Sequence, residues 1–292
     1  MSTDCHKQRK RLPDWLRKDI IDSDQTREVR RLLKDLSLNT VCDGARCPNK
    51  GECYANNTAT FMILGSSCTR KCMFCAVEHS DSPIYDSNES KNVAEAVKKL
   101  NLRYVVLTSV TRDDLSDGGA SHFADTVRRI KDIDPKIIVE VLVPDFLGNF
   151  KSVDRVLDSG IDVFNHNIET IKDNYNKARP QAIYKRSLDI LNYAKECNQK
   201  MLTKSGFMVG LGETDSQLEL LLFDLDYHKC DIVTVGQYIQ PTKASLLVEK
   251  YYTEDEFDAI TKIAQQFSFK KVVAGPLVRS SYKAFEIYQD LV

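Results

Sequence analysis

The sequence predicts an α/β fold, a partial (β/α)6 TIM-like barrel with N-terminal and C-terminal extensions, and three observations carry that prediction. Short apolar runs alternate with helical patterns from residue 59 onward, the order expected of parallel strands joined by crossover helices. Six of these runs are dominated by apolar and β-branched residues and read as buried strands. At 292 residues the chain accommodates one large unit with a substantial core, so no second domain is required.

The strands are expected at 60–64, 104–108, 137–142, 161–165, 206–209 and 231–235. Between them apolar residues recur at helical spacing: Val93, Val97 and Leu100; Phe123, Val127 and Ile130; Val153 and Leu157; Leu188 and Leu191; Leu218, Leu221, Leu222 and Leu225; Phe257, Ile260, Ala264 and Phe267. Two helix starts carry capping boxes, Thr214 with Gln217 and Thr253 with Glu256, in which each side chain satisfies a backbone donor of the other residue. The expected division is an extension over 1–58, the barrel over 59–270 and a C-terminal tail over 271–292. Loops that follow the strands are the expected seat of chemistry, as in other barrels.

A net charge of -1 argues against a polyanionic substrate, so no nucleic-acid partner is expected. No apolar run approaches the ~18 residues that would cross a bilayer, and none near Met1 resembles a secretory signal. No membrane association and a cytoplasmic location are therefore expected. The basic stretch at residues 6–11 is read as a frayed, solvated terminus.

Six of the nine cysteines fall between Cys42 and Cys75; Cys5, Cys197 and Cys230 stand apart and are read as small hydrophobes or bystanders. Clustered thiols in a reducing compartment hold metal more often than they form disulfides. Cys68, Cys72 and Cys75 form C-x3-C-x2-C directly after the first strand, three thiolates with no fourth cysteine. A four-iron, four-sulfur cube held this way leaves one iron open to an outside ligand. A zinc ion is the alternative, with His79 as the nearby fourth ligand. Cys42, Cys47 and Cys53 form C-x4-C-x5-C, with Gly44, Pro48 and Gly51 letting the chain bend around a metal; spacing alone leaves a zinc site open there too.

The C-x3-C-x2-C loop, with the aromatic Phe74 before its last cysteine, resembles the radical S-adenosylmethionine superfamily. That resemblance implies a cluster at Cys68, Cys72 and Cys75 whose open iron is chelated by S-adenosylmethionine, which the reduced cluster cleaves to methionine and a 5'-deoxyadenosyl radical. Placed fifteen residues after C-x4-C-x5-C, the pair of triplets looks like the lipoyl synthases. Leu12-Pro13-Asp14-Trp15-Leu16-Arg17 near the front and Gly275-Pro276-Leu277-Val278 leading into Arg279-Ser280-Ser281-Tyr282 near the end are similar to that family as well.

The family resemblance implies a second, auxiliary four-iron, four-sulfur cluster on Cys42, Cys47 and Cys53, with Ser281 as an oxygen ligand. Oxygen is a poorer partner than thiolate for cluster iron, which suits a cluster meant to be taken apart. The implied reaction puts sulfur on C6 and C8 of an octanoyl-lysine, the auxiliary cluster being the donor. Implied partners are octanoylated carrier domains, such as dehydrogenase E2 subunits and the glycine cleavage H protein, and a ferredoxin or flavodoxin reductant. Asp117 and Gly118, where the superfamily carries Gly-Gly-Glu, and Asn167, Glu169 and Arg179 at the end of the fourth strand are expected to contact S-adenosylmethionine or substrate. His166, with no metal or nucleophile beside it in sequence, is read as structural. Gly210 and Gly212 are expected to permit a tight turn.

Overall fold

The computed structural model describes residues 11–18, 21–56 and 59–292. Cys5 and all of the 6–11 basic stretch except Arg11 lie outside them. Strands are β1 (Asn39–Thr40), β2 (Thr60–Ile63), β3 (Ser67–Cys68), β4 (Glu78–His79), β5 (Tyr104–Ser109), β6 (Ile138–Leu142), β7 (Val163–Asn165), β8 (Leu202–Val209), β9 (Ile232–Gln237) and β10 (Lys271–Gly275). Helices are α1 (Asp24–Asp35), α2 (Val41–Gly44), α3 (Lys50–Ala55), α4 (Glu89–Lys99), α5 (Ala120–Ile133), α6 (Phe150–Leu157), α7 (Tyr175–Ala178), α8 (Tyr184–Cys197), α9 (Asp215–Tyr227), α10 (Glu254–Ala264) and α11 (Ala284–Gln289).

Eight strands form one sheet in the order β1-β2-β5-β6-β7-β8-β9-β10, parallel from β2 to β10 with β1 antiparallel at one edge. The six expected strands are all present, and among the described residues neither β1 nor β10 pairs with a further strand, so the barrel stays open. Outward-facing Val105, Leu107, Val139, Val141, Val233 and Val235 pack against Val93, Phe123, Val127, Leu188, Leu222 and Phe257 of the surrounding helices to make the main core. Both capping boxes form, at the starts of α9 and α10, each stabilising its helix by about 1 kcal/mol.

Two elements differ from expectation. β8 begins at Leu202, well before Gly206, because Thr203, Lys204 and Ser205 are buried despite being polar. Lys204 Nζ donates to Glu140 Oε2 at 3.0 Å and Thr203 N to Asp231 Oδ2 at 2.9 Å, so their polarity is satisfied inside. Residues 271–275, assigned by sequence to a tail, form β10 and extend the parallel sheet beside β9.

Helix α11 closes the bottom. Its Ile287 packs on Val163, Leu202 and Ile232, the first residues of β7, β8 and β9. The strands' C-terminal ends are left as the mouth. Among the described residues no helix is long and apolar enough to cross a membrane.

Candidate active site

β3, which ends on Cys68, pairs with β4 in parallel, and the loop between them presents Cys72 and Cys75. Several segments hold this loop. Thr69 N donates to Thr111 O at 3.0 Å, Met73 N to Ala178 O at 2.9 Å, and Leu246 N to Met73 O at 2.8 Å. Arg70 Nε donates to Asp113 Oδ2, and Arg70 Nη2 to Asp145 Oδ1, both at 2.6 Å, which ties the loop to the ends of β5 and β6. Backbone N–H groups reach the sulfurs: Thr111 to Cys68 at 3.3 Å and Val77 to Cys75 at 3.4 Å. Such donors favour thiolate over thiol. Without a metal, burial pushes the Cys75 thiol up to about 11 and raises Cys72 as well.

The other triplet is built by α2, which carries Cys42, the turn with Cys47, and α3, which carries Cys53. Tyr54 locks the first turn, donating to Asp43 Oδ2 at 2.7 Å, and its hydroxyl lies 2.8 Å from the Thr40 hydroxyl. The same segment grips the distant C-terminus. Asn49 Nδ2 donates to Leu277 O at 2.7 Å, and Tyr282 Oη donates to Glu52 Oε1 at 2.9 Å, with Lys18 paired to Glu52 from the other side. Ser281 is thereby brought to the extension although 228 residues separate Asn49 from Leu277.

All six cysteines and Ser281 line a single cavity of about 530 Å³ at the barrel mouth, together with Phe74, His166, Asn167, Glu169 and Arg179. Glu169 takes a left-handed backbone, φ +67°, a conformation uncommon for a non-glycine residue. Burial raises its carboxyl above the ordinary range, against the pull of Arg179. Arg179 Nη1 donates to Asn167 O at 3.1 Å while its Nε has no partner. Among the described residues no three His, Cys, Asp or Glu side chains converge as a single-ion site. The two thiol triplets are set around one space.

The superfamily model described as Radical SAM matches residues 62–225. A lipoyl synthase of Rubrobacter xylanophilus is 50% identical over 278 residues, 95% of this chain and 87% of that one. Another, of Caldanaerobacter subterraneus subsp. tengcongensis, is 49% identical over 274 residues, 94% and 96% of the two chains. The chain belongs to the lipoyl synthase family. Its fold is shared with Streptococcus suis SuiB bound to S-adenosylmethionine, at TM-score 0.58 and 14% identity over 85% of this chain and 60% of that one.

Asp117 and Gly118, expected to contact S-adenosylmethionine or substrate, are not among the residues that line the cavity of this lipoyl synthase family member. Asp117 is occupied in starting α5: its carboxylate accepts from Gly119 N and Ser121 N, both at 2.9 Å, and pairs with Arg155 at 3.1 Å. Gly118 is required by its own turn, with φ +60° and the Phe146 ring 2.9 Å from where a Cβ would stand. Gly210 and Gly212, with φ +109° and +96°, do make the turn expected of them.

Other wall residues have no site role assigned from the sequence. His166 is buried; Nδ1 donates to Val143 O at 2.8 Å, leaving Nε2 without a partner at the cavity wall. Ser280 and Arg279 also line it. Their sequence signal is membership of the Arg279-Ser280-Ser281-Tyr282 segment. Of the isolated cysteines, Cys230 is buried as a small hydrophobe and Cys197 is exposed.

Proposed function

We propose that the chain is a lipoyl synthase that inserts sulfur at C6 and C8 of an octanoyl chain amide-linked to a carrier-domain lysine. The observation that supports this most directly is the one cavity bordered by both cysteine triplets and Ser281. The residues fit the implied groups: thiols line the space, and the orphaned Arg179 Nε and His166 Nε2 are polar atoms awaiting a ligand.

In this reading Cys68, Cys72 and Cys75 hold the cluster that binds S-adenosylmethionine, and Cys42, Cys47, Cys53 and Ser281 hold an auxiliary cluster. Bound there, these groups supply hydrogen abstraction from unactivated carbon and the sulfur itself, chemistry that no side-chain acid or base provides. Asn167, Glu169 and Arg179 bind and orient the polar cofactor, and Phe74 borders it. Leu142, Val143, Met208 and Tyr238 give the same cavity an apolar wall that holds an alkyl chain and excludes water. Burial pushes the free Cys42 thiol up to about 12, so cluster loading expels protons from the ligands.

The partners in this reading are octanoylated E2 subunits or the glycine cleavage H protein, with a ferredoxin or flavodoxin as reductant, in the cytoplasm. The test is anaerobic incubation of the reconstituted protein with reductant, S-adenosylmethionine and an octanoyl-lysine peptide, followed by mass analysis. A product carrying two added sulfur atoms is expected. Unchanged peptide, with both clusters loaded, would refute the assignment.

A further inference from the structure

The segment that precedes α11 runs along the interior face of β8 and β9, where two glycines make room for it. A Cβ on Gly236 would stand 2.2 Å from the Val278 carbonyl oxygen. On Gly206 it would stand 2.6 Å from Thr234 Oγ1, 2.9 Å from Ser280 Oγ and 3.0 Å from Asn167 Oδ1. Ser280 therefore fills space that any side chain at position 206 would take.

Ser280 Oγ lies 2.8 Å from Asn167 Oδ1, and Asn167 Nδ2 donates to Glu169 Oε1 at 3.2 Å. A carboxylate accepts only, so Glu169 requires the amino end of the Asn167 amide. The carbonyl end is left to Ser280, whose hydroxyl must donate. Side-chain hydrogen bonds on either side fix the tail: Asn49 Nδ2 donates to the Leu277 carbonyl, and Tyr282 Oη donates to Glu52.

We infer that Ser280 is a positioning residue: by donating to Asn167 it makes the S-adenosylmethionine half of the cavity depend on the seating of the tail that carries Ser281. The inference rests on the function proposed above. Ser280 and Ser281 are neighbours in one short segment, so that segment serves both halves of the cavity. A displaced tail leaves Asn167 Oδ1 without its donor and free to turn from Glu169. S-adenosylmethionine is then held tightly only when the sulfur-donor side is complete, which suppresses cleavage uncoupled from sulfur transfer.

A double-mutant cycle tests this with reconstituted, anaerobic, full-length protein. Ser280→Ala and Asn167→Ala are made singly and together, with Ser280→Thr retaining the hydroxyl. The readouts are the S-adenosylmethionine dissociation constant by equilibrium binding, and iron and sulfide per chain. Ser280→Ala is expected to weaken binding about 5- to 10-fold, the scale of one lost hydrogen bond, at wild-type iron content. In the Asn167→Ala background it should change nothing further, and Ser280→Thr should bind more tightly than Ser280→Ala. Unchanged affinity in Ser280→Ala, an equal loss in both backgrounds, or affinity lost only together with iron overturns the inference. Failure of the wild type itself to bind S-adenosylmethionine overturns instead the reading on which it rests.

Discussion

Arg70 and Asp145 form an ion pair at 2.6 Å with side chains 3% and 0% exposed, and it joins the loop of Cys68, Cys72 and Cys75 to the end of β6. Arg186 contacts the other carboxylate oxygen at 3.2 Å. Burial works to raise the Asp145 carboxyl, but hydrogen bonding and charge from Arg70 override it and hold it at about 2. Removing one member of such a pair strands the other in a poorly solvated place.

Asp145→Asn is accordingly expected to destabilise the protein by about 3 kcal/mol. Urea unfolding would register this as a lower midpoint at an unchanged slope. A midpoint equal to wild type would mean that Asp113 alone suffices to hold Arg70.

A second prediction concerns acid. Burial first, and then the charge of Arg179, depress His166 from 6.5 to about 4. Below pH 6.5 the unfolded chain takes up a proton that the folded one refuses, so stability falls as pH drops toward 4 and the effect levels off below it. The shift corresponds to about 3 kcal/mol. His166→Gln should flatten the stability profile between pH 6.5 and 4; a profile that keeps its slope assigns the proton uptake elsewhere.

The two cysteine triplets should separate by function. Replacing Cys68, Cys72 and Cys75 with alanine is expected to retain one cluster's iron and sulfide and abolish formation of 5'-deoxyadenosine. Replacing Cys42, Cys47 and Cys53 should likewise retain one cluster and abolish sulfur insertion, with residual 5'-deoxyadenosine formation that needs more S-adenosylmethionine than in wild type. Persistent 5'-deoxyadenosine from the first variant would remove the assignment.

Gly236→Ala pushes a methyl group into the Val278 carbonyl, and the backbone on both sides has little freedom to yield. A cost of about 1–3 kcal/mol is expected for such overpacking, expressed as displacement of the tail. Limited trypsinolysis should then cut faster after Arg279 and Lys283 than in wild type. Equal cutting rates would show that the sheet, and not the tail, absorbs the methyl group.

Much of the fold could be read directly because its strands are buried on both faces and rich in apolar residues, as at Tyr104–Ser109 and Ile232–Gln237. The first half of β8 could not, since Lys204 is buried by virtue of Glu140, a residue on another strand. The expectation for Asp117 comes from its place after the second strand; its bond from Ser121 and its pairing with Arg155 are matters of local helix geometry and packing. For Ser280 the decisive neighbour, Asn167, is 113 positions away.

By itself the sequence determined the thiol inventory and its spacing, because loop ligands act at short range along the chain and must be written locally. It also determined the alternation of strand and helix, which follows from side-chain periodicity. Only the tertiary structure decided that the front extension, the barrel mouth and the last twenty residues border one cavity. That arrangement depends on contacts such as Asn49 with Leu277 and Glu52 with Tyr282, between residues that no local pattern couples.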